Sequence, residues 1–275
     1  MINLIGIYLI FLSSLTFADA TTDSYYHSHK KDANLSLDDA VISISEKFLG
    51  KPYVFDALAD PGEQSYTIRG DAFDCVTFVD TVLALSLAEH KDQFSALWHK
   101  FRYQDTQATR LERNHFTEVH WLGNLKPWLT ACHGLPGSAT ASARVDVGAR
   151  YAWYCHASGL AEKDCLPYKN RPAQKVTLSY IPTETWLSKN EDLNKNLPKT
   201  MLVLVINQGR HQLKQKIGTD MLVSHLGFLY QSKHGLRFRH ASLSHKKVVD
   251  VDFMDYVSSR KGGTVVGYAV YAIHA

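Results

Sequence analysis

The chain has no cluster of lysine or arginine. Its 30 basic and 27 acidic residues leave a formal charge of only +3 over 275 residues. That removes the electrostatic footprint of a nucleic-acid binder, although a mildly basic protein can still meet an anionic polymer such as a cell wall. It also lacks a second long apolar run: beyond the first twenty residues no stretch is long enough to cross a bilayer. Compact Cys-x-x-Cys pairs and close His/Glu ligand motifs are absent too. A zinc site assembled from Cys132-His133, Cys155-His156 and Cys165 therefore matches no ordinary ligand spacing, and no metal or cofactor is expected. Cysteine itself is scarce, with four residues. What remains is ordinary globular material, 45% hydrophobic and 21% charged, enough for one large domain or two small ones.

Leu4 to Phe17 is almost wholly apolar, and Ala18-Asp19-Ala20 follows as a small-x-small pattern. This reads as a secretory signal peptide cut after Ala20, despite a Met1-Ile2-Asn3 start without a basic residue. A membrane anchor is the alternative, but the run is short for a span. The mature chain is expected to start near Thr21 and to be soluble outside the cytoplasm, periplasmic or extracellular. An oxidising compartment invites disulfides. Cys132, Cys155 and Cys165 lie near one another, so one bond among them is expected, with Cys75 free. Cys155–Cys165 closes the shortest loop, but spacing leaves the pairing open. A free thiol retained in such a compartment hints at use.

Residues 21–35 are polar and read as a loosely attached leader. From Ser36 a helix is expected to Leu49, capped by Ser36 and stopped by Gly50. Lys51 to Phe55 is extended. Residues 94–130 read as helical or mixed; Arg113 to Trp121, rich in polar and aromatic groups, suits sugar or peptide contacts, though such aromatics more often pack in cores. Gly134 to Val147 reads as a loop, Tyr151 to Lys175 shows little periodicity, and Trp186 to Thr200 reads as polar surface. Strands are expected from Val176, Met201, Leu222, Leu236, Lys247 and Thr264. The fold class is α+β: helices first, a large mixed insertion over about 95–200, then an antiparallel sheet, forming one catalytic domain over 36–275.

The stretch Gly70-Asp71-Ala72-Phe73-Asp74-Cys75-Val76-Thr77-Phe78-Val79-Asp80 organises the chain. Phe78, Val79, Val82, Leu83 and Leu87 share a helical face, and Asp71 or Asp74 supplies the cap. Cys75 then falls in the first turn, where free backbone N–H groups and the helix dipole favour a thiolate. Downstream, a flush hairpin with Gln231 opposite Leu236 puts His225 and Gly227 on the same sheet face as His240 and Ser242. Gly227 leaves room between the two imidazoles. A one-residue slip would put them on opposite faces. Packed against this sheet, Cys75 acts as nucleophile, His225 as base and His240 as the residue orienting it.

Four ordered elements carry a resemblance: Gly50-Lys51-Pro52-Tyr53, Phe73-Asp74-Cys75-Val76-Thr77-Phe78-Val79, Ser224-His225-Leu226-Gly227-Phe228-Leu229 and Arg239-His240-Ala241-Ser242. Together they resemble the NlpC-type papain-like cell-wall amidases and peptidases, most closely the N-acetylmuramoyl-L-alanine amidase-like branch. Val76 stands where the wider family usually has serine, as in that branch. The resemblance implies a papain-like NlpC-type fold and a Cys75–His225–His240 enzyme acting on peptidoglycan fragments. In that branch the bond cut is the amide between N-acetylmuramic acid and L-alanine, with anhydro-muropeptides favoured. Tyr53 matches a tyrosine beside the nucleophile. Arg69, Ser224 and Ser242 are the further candidates for substrate contacts. The alternatives are an endopeptidase of the same mechanism, cutting after D-glutamate, and a non-catalytic peptidoglycan-binding protein.

Overall fold

A computed structural model describes residues 22–55, 70–104, 111–114, 116–157, 159–208, 214–215 and 217–275. The expected signal segment and Arg69 lie outside these residues. Among those described, no helix is long and apolar enough to cross a membrane.

Helix α1 spans 22–29 and α2 spans Leu37–Glu46. The leader expected to hang free is instead packed down. Tyr26 is buried, Tyr25 stacks on Phe94, and the His29 ring lies parallel to Phe48 at 5.2 Å. Aromatic rings at helical spacing give this polar stretch a hidden apolar face. The Tyr25 ring also occupies the space a side chain at residue 70 would need, so Gly70 is required by this close approach. Ser36 caps α2 as expected, accepting from the Asp39 N–H.

Helix α3, Cys75–Leu87, is the centre of the fold. Asp74 is its cap: the carboxylate accepts from the N–H groups of Val76 and Thr77, and Thr77 Oγ1 accepts the Asp74 N–H in return. Every residue from Thr77 to Leu87 is buried, on the polar positions as well as the apolar ones. A helix enclosed on all sides must satisfy its polar groups internally. Asp80 does so by receiving Trp121 Nε1–H at 2.7 Å and pairing with Arg102 at 3.4 Å. Arg102 comes from α4, Lys91–Arg102, and Trp121 from a π-helical turn, Thr117–Trp121, that leads into the short α5, Leu122–Leu125. The polar-aromatic stretch considered for sugar contacts is thus core packing in part: Trp121 is fully buried, and Asn114 donates its amide to the Phe101 carbonyl.

The sheet is antiparallel throughout and has eight strands among the described residues. They are β1 (Leu129–Ala131), β2 (Ala139–Val145), β3 (Gln174–Pro182), β4 (Thr200–Asn207), β5 (Val223–Ser232), β6 (Gly235–Ser242), β7 (Lys247–Asp252) and β8 (Val265–Ile273). Their spatial order is β2-β3-β8-β4-β5-β6-β7, with β1 pairing on β8. The middle of the chain therefore extends the same sheet that the C-terminal strands build. The stretch read as a loop, 134–147, holds β2. The aperiodic 151–175 holds α6 (Val147–Ala157) and α7 (Glu162–Lys169), joined by a Cys155–Cys165 disulfide, while Cys75 and Cys132 are free.

Alternation in β4 divides the core. Leu202, Leu204 and Ile206 pack with α2 and α3, while Met201, Val203 and Val205 pack on the other face. That second face is covered by α8, Thr183–Asn194, and α9, Phe253–Ser258. The segment from Trp186, read as polar surface, is an amphipathic helix whose Trp186 and Leu193 are fully buried. Its lysines and acidic residues face solvent, and two buried anchors suffice to dock it.

Candidate active site

The hairpin register is the flush one: Gln231 pairs with Leu236, Leu229 with Phe238 and Phe228 with Arg239. The ladder stops there, and β5 and β6 part. Gly227 lies at the parting, where a Cβ would sit 2.7 Å from both His240 Cβ and the Arg239 carbonyl oxygen. The missing side chain lets His240 reach across. His225 Nε2 and His240 Nδ1 are 2.7 Å apart, with the rings edge to face. One nitrogen of each ring is committed to this bond, so His225 is left with Nδ1 for another partner. His240 is held further by Phe238, stacked at 4.6 Å, and by the edge of Tyr256 at 5.3 Å.

Cys75 is the first residue of α3, and α3 packs on β5 and β6. Backbone groups of Leu226, Cys75 and Val76 lie near enough to the sulfur to favour its ionised form. Leu226 adjoins His225 in β5, and Tyr256, whose ring edges His240, also feels the Cys75 charge, so the thiol lies near the histidine pair where the hairpin opens. Tyr53 is close enough for its charge state to feel Cys75; its backbone bridges Phe73 and donates to the Lys246 carbonyl at 2.9 Å. Ser242 lines the far side of His240, where its hydroxyl meets His245 Nδ1 at 2.9 Å. Ser224 is exposed and turned away, held by Asn207. Cys75, His225, His240 and Tyr53 are brought together, Ser242 stands beside them, and Ser224 is left out.

The electrostatics differ from the expected thiolate. Burial, and then the Asp74 carboxylate one residue away, push the Cys75 thiol up to about 12, outweighing the three backbone donors. The cap that builds the helix thus opposes ionisation of its first residue. Burial also holds both histidines below the ordinary imidazole range, with the Arg260 charge adding to the effect. These shifts favour a neutral thiol and neutral imidazoles over an ion pair. Among the described residues no group of three His, Cys, Asp or Glu side chains is arranged to hold a metal ion.

Two groups escaped sequence reasoning. Arg239 is almost fully buried and ties the strand of His240 to α2: Nη1 donates to the Ile42 carbonyl at 2.7 Å and to Ser45, and Nη2 pairs with Asp250 at 2.6 Å. Tyr256 and Arg260 arrive from α9 and the turn after it, with Arg260 lying 3.4 Å over the Tyr256 ring. No local pattern marks either pair, because the contacts are between distant strands and helices.

Fold and site define a class: an α+β protein with a helix-borne cysteine held against a histidine pair at the opening of an antiparallel hairpin. The family model described as N-acetylmuramoyl-L-alanine amidase-like matches residues 43–265, and the chain belongs to that family. Membership supports a peptidoglycan amidase-like role. A crystal structure of a protein from Legionella pneumophila is similar at 25% identity and a TM-score of 0.82, over 94% of this chain and 95% of that one. An N-acetylmuramoyl-L-alanine amidase from Bacteroides uniformis shares the fold at 19% identity and a TM-score of 0.65, over 87% and 99%. So does a protein titled a putative xylanase from Bacteroides fragilis, at 18% and 0.63, over 83% and 98%. No curated protein matches the chain.

Proposed function

We propose that the protein is a cysteine amidase of papain-like, NlpC type that cuts the bond between N-acetylmuramic acid and L-alanine in peptidoglycan fragments. The reading rests on one observation: Cys75 opens α3, α3 packs on β5 and β6, and there His225 is locked to His240 at 2.7 Å. His225 Nδ1 takes the thiol proton as sulfur attacks the amide carbonyl, since the thiol is not ionised beforehand. The Cys75 N–H and the Tyr53 hydroxyl are the donors proposed for the oxyanion. Collapse breaks the C–N bond, and His225 returns the proton to the departing L-alanine amine. Water, deprotonated by the same histidine, then releases the muramoyl group from sulfur. His240 keeps the His225 ring in one orientation and tautomer. The apolar start of the chain is consistent with export to a compartment where such fragments occur.

Digestion of purified muropeptides, followed by mass analysis, tests this. Wild type is expected to release intact stem peptide and free sugar, and Cys75→Ala to release neither. Cleavage within the stem, or undiminished activity of Cys75→Ala, would overturn the reading.

A further inference from the structure

A cleft of about 470 Å³ opens beside His240, lined by Ser242, Ser244, His245, Tyr256 and Arg260 among others. Two cations reach it, and they differ. Arg237 pairs with Asp250, its Nε 2.8 Å from a carboxylate that Arg239 shares at 2.6 Å. Arg260 has no carboxylate partner among the described residues. Its Nη1 donates to neutral oxygens, the Tyr256 carbonyl at 3.1 Å and Ser259 Oγ at 2.9 Å, and its plane rests on the Tyr256 ring. Asp252 also borders the cleft, but its carboxylate caps α9 by accepting the Asp255 N–H at 3.0 Å. Asp255 stands exposed at the rim.

A half-buried guanidinium held flat on an aromatic ring is pre-organised as a fork for a carboxylate. The serine hydroxyls and the His245 ring supply further polar groups around it. Position narrows the ligand. In amide cleavage the departing amine takes its proton from the imidazole, so the leaving peptide lies on the histidine side of the sulfur, and His240 of the histidine pair lines this cleft. We propose that Arg260 binds a carboxylate of the departing stem peptide, and that the enzyme thereby selects acidic stems over their carboxamides. This rests on the amidase reading for the direction in which the substrate lies. The Arg260 charge is also felt by His225 and His240. A bound carboxylate offsets that charge and makes His225 a better base once substrate is seated.

Calorimetry with the full-length mature protein tests the contact without turnover. The probes are free L-alanyl-γ-D-glutamyl peptide and the same peptide with its carboxylates amidated. The acid is expected to bind wild type roughly ten- to a hundredfold tighter than the amide, the range for a charged hydrogen-bonded pair. Arg260→Gln is expected to erase that ratio and Arg260→Lys to keep part of it. Equal binding of acid and amide to wild type, or an unchanged ratio in Arg260→Gln, overturns the inference. If Arg260→Gln fails to fold, the wild-type ratio and Arg260→Lys still decide. The two readings fail separately. Selective binding with no cleavage of the muramoyl amide sinks the amidase; cleavage of acid and amidated muropeptides at equal kcat/KM sinks the role of Arg260.

Discussion

At the scale of single residues, the reactive pair is governed by where each proton sits. Asp74 is needed to start α3, and its charge holds the neighbouring thiol protonated. His225 is kept neutral by burial and by Arg260. A histidine whose pKa is lowered stays a competent base as the solution turns acidic, because its neutral form survives below the ordinary value of 6.5. The profile of kcat/KM against pH is therefore expected to stay flat through pH ~6.5 and to fall only well below it. Iodoacetamide labelling of Cys75 is expected to climb with pH towards the raised thiol range, about 12. A labelling rate that is flat across neutral pH would instead mean a preformed thiolate–imidazolium pair. The choice of catalytic types was legible in the motifs around Cys75, His225 and His240; the protonation state was not, because it depends on how deeply the sheet and helix enclose them.

Between elements, the chemistry depends on how α3 is fixed against β5 and β6. Phe78 meets Phe228 across that interface at 5.9 Å, and Asp80 anchors the buried side of the helix to Arg102 and Trp121. Burial pushes Asp80 up to about 7 even with these partners, so the carboxylate is held at some expense. Removing it takes the carboxylate from a buried guanidinium and from the Trp121 N–H. Asp80→Ala is expected to destabilise the protein by about 3–5 kcal/mol, read as a lower urea midpoint with an unchanged m-value. The capped helix starts at Ser36 and Asp74 and the flush hairpin could be read from residue order, since caps and two-residue turns are local. The helical face of 22–29, the strand at 139–145 and the docked α8 were missed. Each buries only a few side chains, and their polar composition hides the anchors.

For the whole molecule, one sheet unites the C-terminal strands with the long middle segment, and the site lies where β5 and β6 separate. The disulfide clamps α6 to α7 on the periphery of that sheet, far in sequence from Cys75. Closing so short a loop restricts the unfolded chain modestly, so replacing both Cys155 and Cys165 by serine is expected to lower stability by about 2–3 kcal/mol. Muropeptide cleavage at temperatures well below the melt should be retained. A thermal melt alongside an activity assay checks both halves; loss of cleavage with an intact fold would mean the bond positions the site.

Amino-acid order alone determined the local devices: an aspartate cap, Asp71 or Asp74, on the helix that carries Cys75, the register that faces His225 toward His240 with Gly227 between them, and the separation of Cys75 from the other cysteines. Those follow from interactions within a few residues or across one turn. Only the tertiary structure decided that burial raises the thiol above its ordinary range, that Arg239 braces the hairpin, and that Arg260 brings to the cleft a cation with no carboxylate partner among the described residues. Burial and long-range contact set these features, and both arise only when segments far apart in the chain pack together.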